Sequence, residues 1–319
     1  GIMTNNIQKQ KGISLIEFQE QFSTEKKCEL YLEKVKWGKG FKCSKCGCSE
    51  HYRYTKNGRI FYRCKSRSCR HRNHLLVGTM FEGTKLSLRK WFLAIYFMTQ
   101  GKKGISTQDL MRKLGVNKKT ARLTKLKIMS VMESREQCQQ LESFIQIDDA
   151  YYGGTHKGKA GRGSENKQAF LIAVSTDEEG HSHKAKIEVV KSFTKEAVAK
   201  FSKKFIEKGA KVLSDALGAF NFFTESDDYE YEQINMGKGE KDENYKKFNA
   251  INTLISNLKN FIGGMHHSVT EKYLQKYFAE FQYRFNRRFD LKALPERFFY
   301  TAVHHCVPTT QNNLKVGAA

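Results

Sequence analysis

Long hydrophobic runs are missing from this sequence: at no point do about 18 apolar residues follow one another, so no membrane span is predicted. The opening residues, Gly1 and Ile2 ahead of Met3, lead into no apolar h-region or cleavage site, so no secretory signal is predicted either. Proline is scarce, with two in 319 residues, and no repeat or low-complexity tract occurs. Acidic residues are short in one half only. Residues 1–140 hold 30 Lys/Arg against 10 Asp/Glu, a net of +20, whereas residues 141–319 hold 26 against 23, a net of +3. A positive field of that size concentrates polyanions at the surface, so nucleic acid is the expected partner. A solvated basic surface, as in heparin-binding or ribosomal proteins, is the blander alternative, and charge alone is silent on chemistry.

What is present suits a soluble protein of two or three folded units. Eight cysteines occur, and five of them crowd into residues 43–69. Without an export signal, metal ligation is expected rather than disulfides. Cys43-x2-Cys46 is followed by 17 residues and then Cys64-x4-Cys69. Two pairs so spaced, each on a turn with a hairpin between, suit tetrahedral structural Zn²⁺. Cys48 is a spare ligand, and His71 or His74 could stand in for Cys69. Cys28, Cys138 and Cys306 read as incidental thiols. A ribbon this small has little core, so the metal would supply much of its folding energy.

Periodicity organises the rest. Residues 13–37 read as helical and 39–80 as short-stranded. Ser87 caps a helix to Gln100, with Gly101 at C′, and Leu88, Trp91, Phe92, Ile95 and Tyr96 form its core stripe. Thr107–Leu114, the turn Gly115-Val116-Asn117 and Lys118–Met132 have the pattern of a helix-turn-helix. Its second helix carries Lys118, Lys119, Thr120, Arg122, Lys125 and Lys127 as candidate DNA contacts; many ordinary helical hairpins share the pattern. Beyond residue 140, Ser143–Tyr151, Lys167–Thr176 and Lys184–Lys191 read as strands. Thr194 caps a helix to about Lys208, Lys211–Asp215 is a short strand, and Phe248–Ile262 and Glu271–Arg287 are helices. That order predicts an α/β unit with a mixed sheet. Gly153–Lys167 and Glu225–Asn244 read as loops or insertions.

Acids are disfavoured inside strands, yet Asp148-Asp149 follow the apolar run Ile145–Ile147 within one strand, and Asp215 ends the short apolar strand Val212-Leu213-Ser214. If those strands are neighbours, Asp148 and Asp215 converge and offer oxygen ligands to Mg²⁺ or Mn²⁺. If they are not, these acids simply begin turns.

The motifs bear on that choice. Cys43-x2-Cys46-Gly47, Gly78-Thr79-Met80-Phe81, Ile147-Asp148-Asp149-Ala150-Tyr151-Tyr152-Gly153-Gly154 and Ser214-Asp215-Ala216-Leu217-Gly218 occur in that order. Asn252-Thr253, Asn257-Leu258-Lys259 and Glu280-Phe281-Gln282-Tyr283-Arg284-Phe285-Asn286-Arg287-Arg288 follow them. The sequence resembles, from about residue 14 to 300, bacterial insertion-sequence DDE transposases with an N-terminal zinc ribbon, a group related to Merlin elements. The resemblance implies an RNase H-like mixed-sheet catalytic domain preceded by the ribbon and a helix-turn-helix DNA-binding region. It implies a nucleoid-associated cytoplasmic enzyme of DNA transposition and recombination that works on double-stranded DNA as a homodimer or larger oligomer.

On that footing Asp148 and Asp215 are the first two ligands of the catalytic metal. The third position, often Glu in the family, is Asn252 here, with Lys259 two helical turns further on to hold a phosphate. Asn252 offers a carbonyl oxygen but no charge, so Glu240, Asp242 and Glu243 remain alternative third ligands. Lys157, Lys159 and Arg162, in a stretch that ends at Lys167, are candidate DNA contacts, as are Arg287 and Arg288; His266, His267 and Arg284 are weaker ones. The expected segments are 1–38 helical, 39–80 zinc ribbon, 81–139 helix-turn-helix region, 140–300 catalytic domain and 301–319 tail. Two rivals stay open: a catalytically impaired DNA-binding relative, supported by Asn252, and an RNase H-like nuclease without strand transfer.

Overall fold

Ser14, Thr24, Ser87, Ser106 and Thr194 each hold extended backbone and accept, through the side-chain oxygen, the N–H three residues on. Each therefore satisfies one orphan donor and starts a helix. The computed structural model describes residues 12–56, 58–101, 103–153, 167–234, 248–264 and 271–305. In chain order come α1 (Leu15–Gln21), α2 (Glu25–Trp37), β1 (His51–Lys56), β2 (Arg59–Cys64), β3 (Arg72–His74), α3 (Leu88–Gln100), α4 (Thr107–Leu114) and α5 (Lys118–Glu136). Then follow β4 (Phe144–Tyr152), β5 (Gln168–Thr176), β6 (Ser182–Val189), α6 (Lys195–Phe205), β7 (Lys211–Asp215), α7 (Asn221–Thr224), β8 (Glu230–Ile234), α8 (Asn249–Gly263), α9 (Glu271–Phe285) and α10 (Leu294–His304). Within these residues no helix is long and apolar enough to cross a membrane.

The chain divides into two compact units, residues 1–134 with 287–319, and residues 135–286. The first holds α1 to α4, most of α5, the ribbon and, returning from the far end of the chain, α10. An aromatic core explains the return. Phe299 of α10 lies 4.2 Å from Phe92 of α3 and 5.3 Å from Tyr31 of α2, ring centre to ring centre, and Phe22 joins them. Ring pairs of this kind add about 0.5–1.5 kcal/mol each beyond their burial. The boundary expected at 300 falls inside α10, whereas the second compact unit ends at Asn286.

In the ribbon, β1, β2 and β3 form an antiparallel sheet in that order. Phe41, Ile60 and Tyr62 pack with Trp37 and the cysteines as its small core. The helical stretch 13–37 is divided into two helices, because Thr24 caps afresh after Phe22. Gly101 ends α3, in extended backbone with φ −68°. Gly115 is the left-handed residue, with φ 58° at the end of α4.

The second unit is a five-stranded mixed sheet in the order β6-β5-β4-β7-β8. β4, β5 and β6 are antiparallel neighbours, while β4, β7 and β8 run parallel. β8 corrects the reading of 225–244 as a loop. Its first four residues are exposed or half-buried, so it lacks the buried alternation that marks a strand in sequence. One face of the sheet packs Ile145, Ile147, Leu171 and Ala173 against α6. The other packs Ala150, Phe170, Ile172 and Val174 against α8 and α9. At the edge, β6 would offer unpaired backbone. Gln275 and Gln282 of α9, and Asn286 just after it, instead hydrogen-bond Ile187, Val189 and Ala185 along it.

Candidate metal centres and active site

Side chains of a strand alternate, so Gln146, Asp148 and Ala150 point to the α8 face while Ile145 and Ile147 point away. β7 pairs with β4 in parallel register, Gln146 opposite Leu213, and Leu213 packs on that same α8 face. Two residues further along both strands, Asp148 comes level with Asp215. Asp149 completes a group: one carboxylate oxygen from each of Asp148, Asp149 and Asp215 lies within 4.8 Å of the others. Asp149 had no role in the sequence reading, where only the acid doublet signalled it.

Local hydrogen bonds hold the trio. The Asp149 N–H donates to Asp148 Oδ1 at 2.8 Å, and the Leu217 N–H donates to Asp215 Oδ1 at 3.1 Å. Burial, then repulsion from Asp215 and Asp149, pushes the Asp148 carboxyl up to about 7, while the Asp149 N–H and the Lys259 charge act in the opposite sense. Three mutually repelling carboxylates are relieved by a divalent cation, and an all-oxygen donor set matches Mg²⁺ or Mn²⁺.

α8 brings the other expected groups. Its buried stripe is Ala250, Ile251, Leu254, Leu258 and Ile262, which leaves Asn252 half-buried and Lys259 exposed. The Ile251 N–H donates to Gln146 Oε1 at 3.0 Å, fixing the first turn of α8 beside the strand that carries Asp148. Lys259 is near enough for its charge to favour ionised Asp148. Glu240, Asp242 and Glu243, and likewise His266, His267, Lys157, Lys159 and Arg162, lie outside the described residues.

In the ribbon, the sulfurs of Cys43, Cys46, Cys64 and Cys69 lie within 4.8 Å of one another. Cys43 Sγ is 3.8 Å from Cys69 Sγ, and Cys46 Sγ is 3.5 Å from Cys64 Sγ. Four sulfurs at about 2.3 Å from a tetrahedral zinc stand about 3.8 Å apart, so the quartet fits that ion. Although burial opposes it, the N–H groups of Cys46 and Lys45 and the Asn73 amide bring the Cys43 thiol down to about 6. Cys48 is occupied elsewhere, its thiol facing the Glu50 carbonyl at 3.8 Å, and His74 Nδ1 accepts the Leu76 N–H.

Of the expected DNA contacts on α5, Lys118, Lys119 and Arg122 are exposed, and Thr120 and Lys127 are half-buried. Lys125 is a correction. It is 1% exposed and its ammonium donates to the Ile105 carbonyl at 2.5 Å, so it faces the core rather than a phosphate. Arg287, also expected to contact DNA, is 9% exposed. Arg288 lies over the Phe289 ring, 4.1 Å from its centre, and is half-buried.

Two family models match the chain. Residues 140–286 match the ISXO2-like transposase domain, and residues 23–72 match the transposase zinc-ribbon domain. Among curated proteins, one from Halobacterium salinarum is similar, described as an uncharacterized protein in transposable element ISH50. It is 24% identical over 277 residues, covering 82% of this chain and 91% of that protein. Among solved structures, a pre-cleavage Mos1 transpososome matches with a TM-score of 0.25 and 8% identity, over 69% of this chain and 80% of that one. The Mos1 mariner paired-end complex with Mn matches with a TM-score of 0.26 and 10% identity, over 65% and 76%. Scores this low carry no weight for the fold or the site.

Proposed function

We propose that this chain, in which residues 140–286 match the ISXO2-like transposase domain and residues 23–72 the transposase zinc-ribbon domain, is a DDE transposase that binds the terminal inverted repeats of a mobile element, cleaves the ends to free 3′-OH groups and joins them to target DNA. The observation that carries this reading is the trio Asp148, Asp149 and Asp215, gathered from the middle of β4 and the end of β7. Asp148 and Asp215 would hold the divalent metal, with Asn252 as the neutral third ligand and Asp149 adding charge beside them. When bound, two such ions supply activation of the attacking oxygen and charge neutralisation at the leaving one. Lys259 orients a phosphate of the scissile strand as a point charge.

Duplex DNA is held, in this proposal, by the basic N-terminal stretch. Lys118, Lys119 and Arg122 project from the start of α5, which follows the tight turn at Gly115 as a recognition helix does. Assembly as a homodimer or larger oligomer on DNA, kinship with Merlin elements and a bacterial, cytoplasmic setting belong to the same proposal. The relative in transposable element ISH50 is archaeal. An impaired DNA-binding relative is the second reading, favoured by the neutral Asn252.

Mg²⁺-dependent joining of a labelled element end to plasmid DNA tests the proposal. The Asp148→Asn and Asp215→Asn proteins should lose joining by at least about a hundredfold while gel-shift affinity stays within threefold, because phosphate-directed contacts elsewhere are untouched. Wild-type-like joining by either variant would overturn the assignment of the acids. No joining by the unaltered protein, with DNA binding intact, would establish the impaired relative instead.

A further inference from the structure

The ribbon sheet has two faces, and only one is used by the zinc core. Residues directly opposite in an antiparallel pair share a face. Ile60, Tyr62 and Cys64 of β2 face the core. The opposite face is therefore read off the register: Tyr52 across from Arg63 across from Arg72, then Tyr54 across from Phe61 across from His74. Tyr52 is 61% exposed, Arg63 and Arg72 are exposed, and Tyr54, Phe61 and His74 are half-buried. The rings are ordered among themselves. Tyr54 stacks on Phe61 at 5.6 Å with 17° between planes, and Phe61 meets His74 at 5.0 Å. The Lys65 ammonium lies 5.0 Å from the centre of the Tyr52 ring. Arg59, Phe61 and His74 border a cleft that also holds Glu25, Glu29 and Glu82, which leaves the Tyr52 end as the open part of this face. The rungs from Tyr52 and Tyr54 carry no acid.

We propose that this open face of the ribbon binds single-stranded DNA, with bases stacked on Tyr52 and Tyr54 and the backbone phosphates held by Arg63, Lys65 and Arg72. A duplex presents base edges and phosphates but keeps its ring faces stacked inside. An exposed tyrosine on a flat sheet therefore finds its matching surface in unpaired bases, and flanking cations meet the charge of the strand. The spacing supports it: neighbouring strands lie about 4.8 Å apart, so Arg63 and Arg72 sit within one or two strand widths of Tyr52. The inference extends the DNA-binding reading above to unpaired segments. It is independent of the acids at Asp148 and Asp215.

Fluorescence anisotropy of the full-length protein, with fluorescein-labelled dT15 and a labelled mixed-sequence duplex, tests it. Tyr52→Ala should weaken dT15 binding roughly tenfold, Tyr52→Phe should keep it, and duplex affinity should move less than threefold. Arg63→Ala combined with Arg72→Ala should weaken dT15 binding further and flatten its salt dependence. Zinc content equal to the unaltered protein, measured on each variant, certifies the ribbon. Unchanged dT15 binding in Tyr52→Ala overturns the proposal. So does an equal loss for dT15 and duplex, which would make the face a general phosphate contact. Duplex binding that persists while dT15 fails to bind the unaltered protein refutes this face alone and leaves the proposed function standing.

Discussion

Gln146 caps a helix from far upstream: its Oε1 accepts the N–H of Ile251, 105 residues later in the chain, at 3.0 Å. Ile251 is the third residue of α8, where the N–H has no intrahelical partner, and Phe248 at the N-cap supplies no side-chain bond. A capping role that Ser or Thr fills locally elsewhere in the chain is filled here from β4. The same bond ties the Asn252 turn to the Asp148 strand. Gln146→Leu should leave the Ile251 N–H buried and unpaired, costing about 1–3 kcal/mol of stability. Thermal unfolding and end joining, measured together, should both fall while duplex affinity holds. Full joining activity at a lowered melting temperature would show that the bond serves stability alone.

A comparison of Asp149→Asn with Asn252→Ala ranks the third member of the catalytic group. Asp149 belongs to the carboxylate cluster and raises the Asp148 carboxyl, whereas Asn252 carries no charge. Asp149→Asn should lower joining about tenfold or more, and Asn252→Ala should cost less than Asp148→Asn or Asp215→Asn. The Mg²⁺ concentration for half-maximal joining is the quantity to measure. Equal costs for Asn252→Ala and Asp215→Asn would place the amide among the indispensable ligands.

Zinc should bind at one ion per chain through Cys43, Cys46, Cys64 and Cys69. Asn73 supports them. Its Nδ2 donates to Cys43 Sγ at 3.6 Å, and its Oδ1 accepts from the N–H and hydroxyl of Ser44 at 3.0 and 2.7 Å. Asn73→Leu should therefore weaken zinc about tenfold in a chelator competition, while Cys48→Ser should leave it unchanged. The reverse ranking would exchange the roles of Asn73 and Cys48.

Salt titration separates the basic residues of α5. Replacing exposed Lys118 and Lys119 by Ala should reduce the slope of log affinity against log salt for duplex DNA by about 2, near 0.9 for each phosphate that is no longer neutralised. Lys125→Ala should act differently. It removes a buried ammonium that donates to the Ile105 carbonyl, so unfolding at lower temperature should accompany it, with the salt slope unchanged in the folded protein. A reduced slope from Lys125→Ala at full stability would return that residue to the DNA-binding surface.

The features legible in the sequence are those encoded over short distances. Two cysteine pairs a hairpin apart announce a zinc ribbon, because each pair needs only its own turn. Ser87, Thr194 and the 3.6-residue stripe of α3 announce helices, because capping and burial repeat within a few residues. Asp148 and Asp215 stand out as acids that follow apolar runs in strands. Their convergence, however, depends on the parallel pairing of β4 with β7, whose register no local pattern states. The choice of Cys69 over Cys48, His71 and His74 likewise waited on the fold, since four thiolates must close one tetrahedron. Lys125 looks like a surface cation in sequence, but it is buried with its ammonium on the Ile105 carbonyl, and Arg287 is buried as well. β8 hid because an edge strand with exposed positions shows no apolar alternation. α10 joins the N-terminal unit because Phe299 completes an aromatic core built from α1, α2 and α3. Sequence by itself determined the elements and the kinds of ligand, since local geometry and side-chain chemistry suffice for both; tertiary structure alone decided which of those ligands meet, because strand register and core packing join residues that the chain keeps far apart.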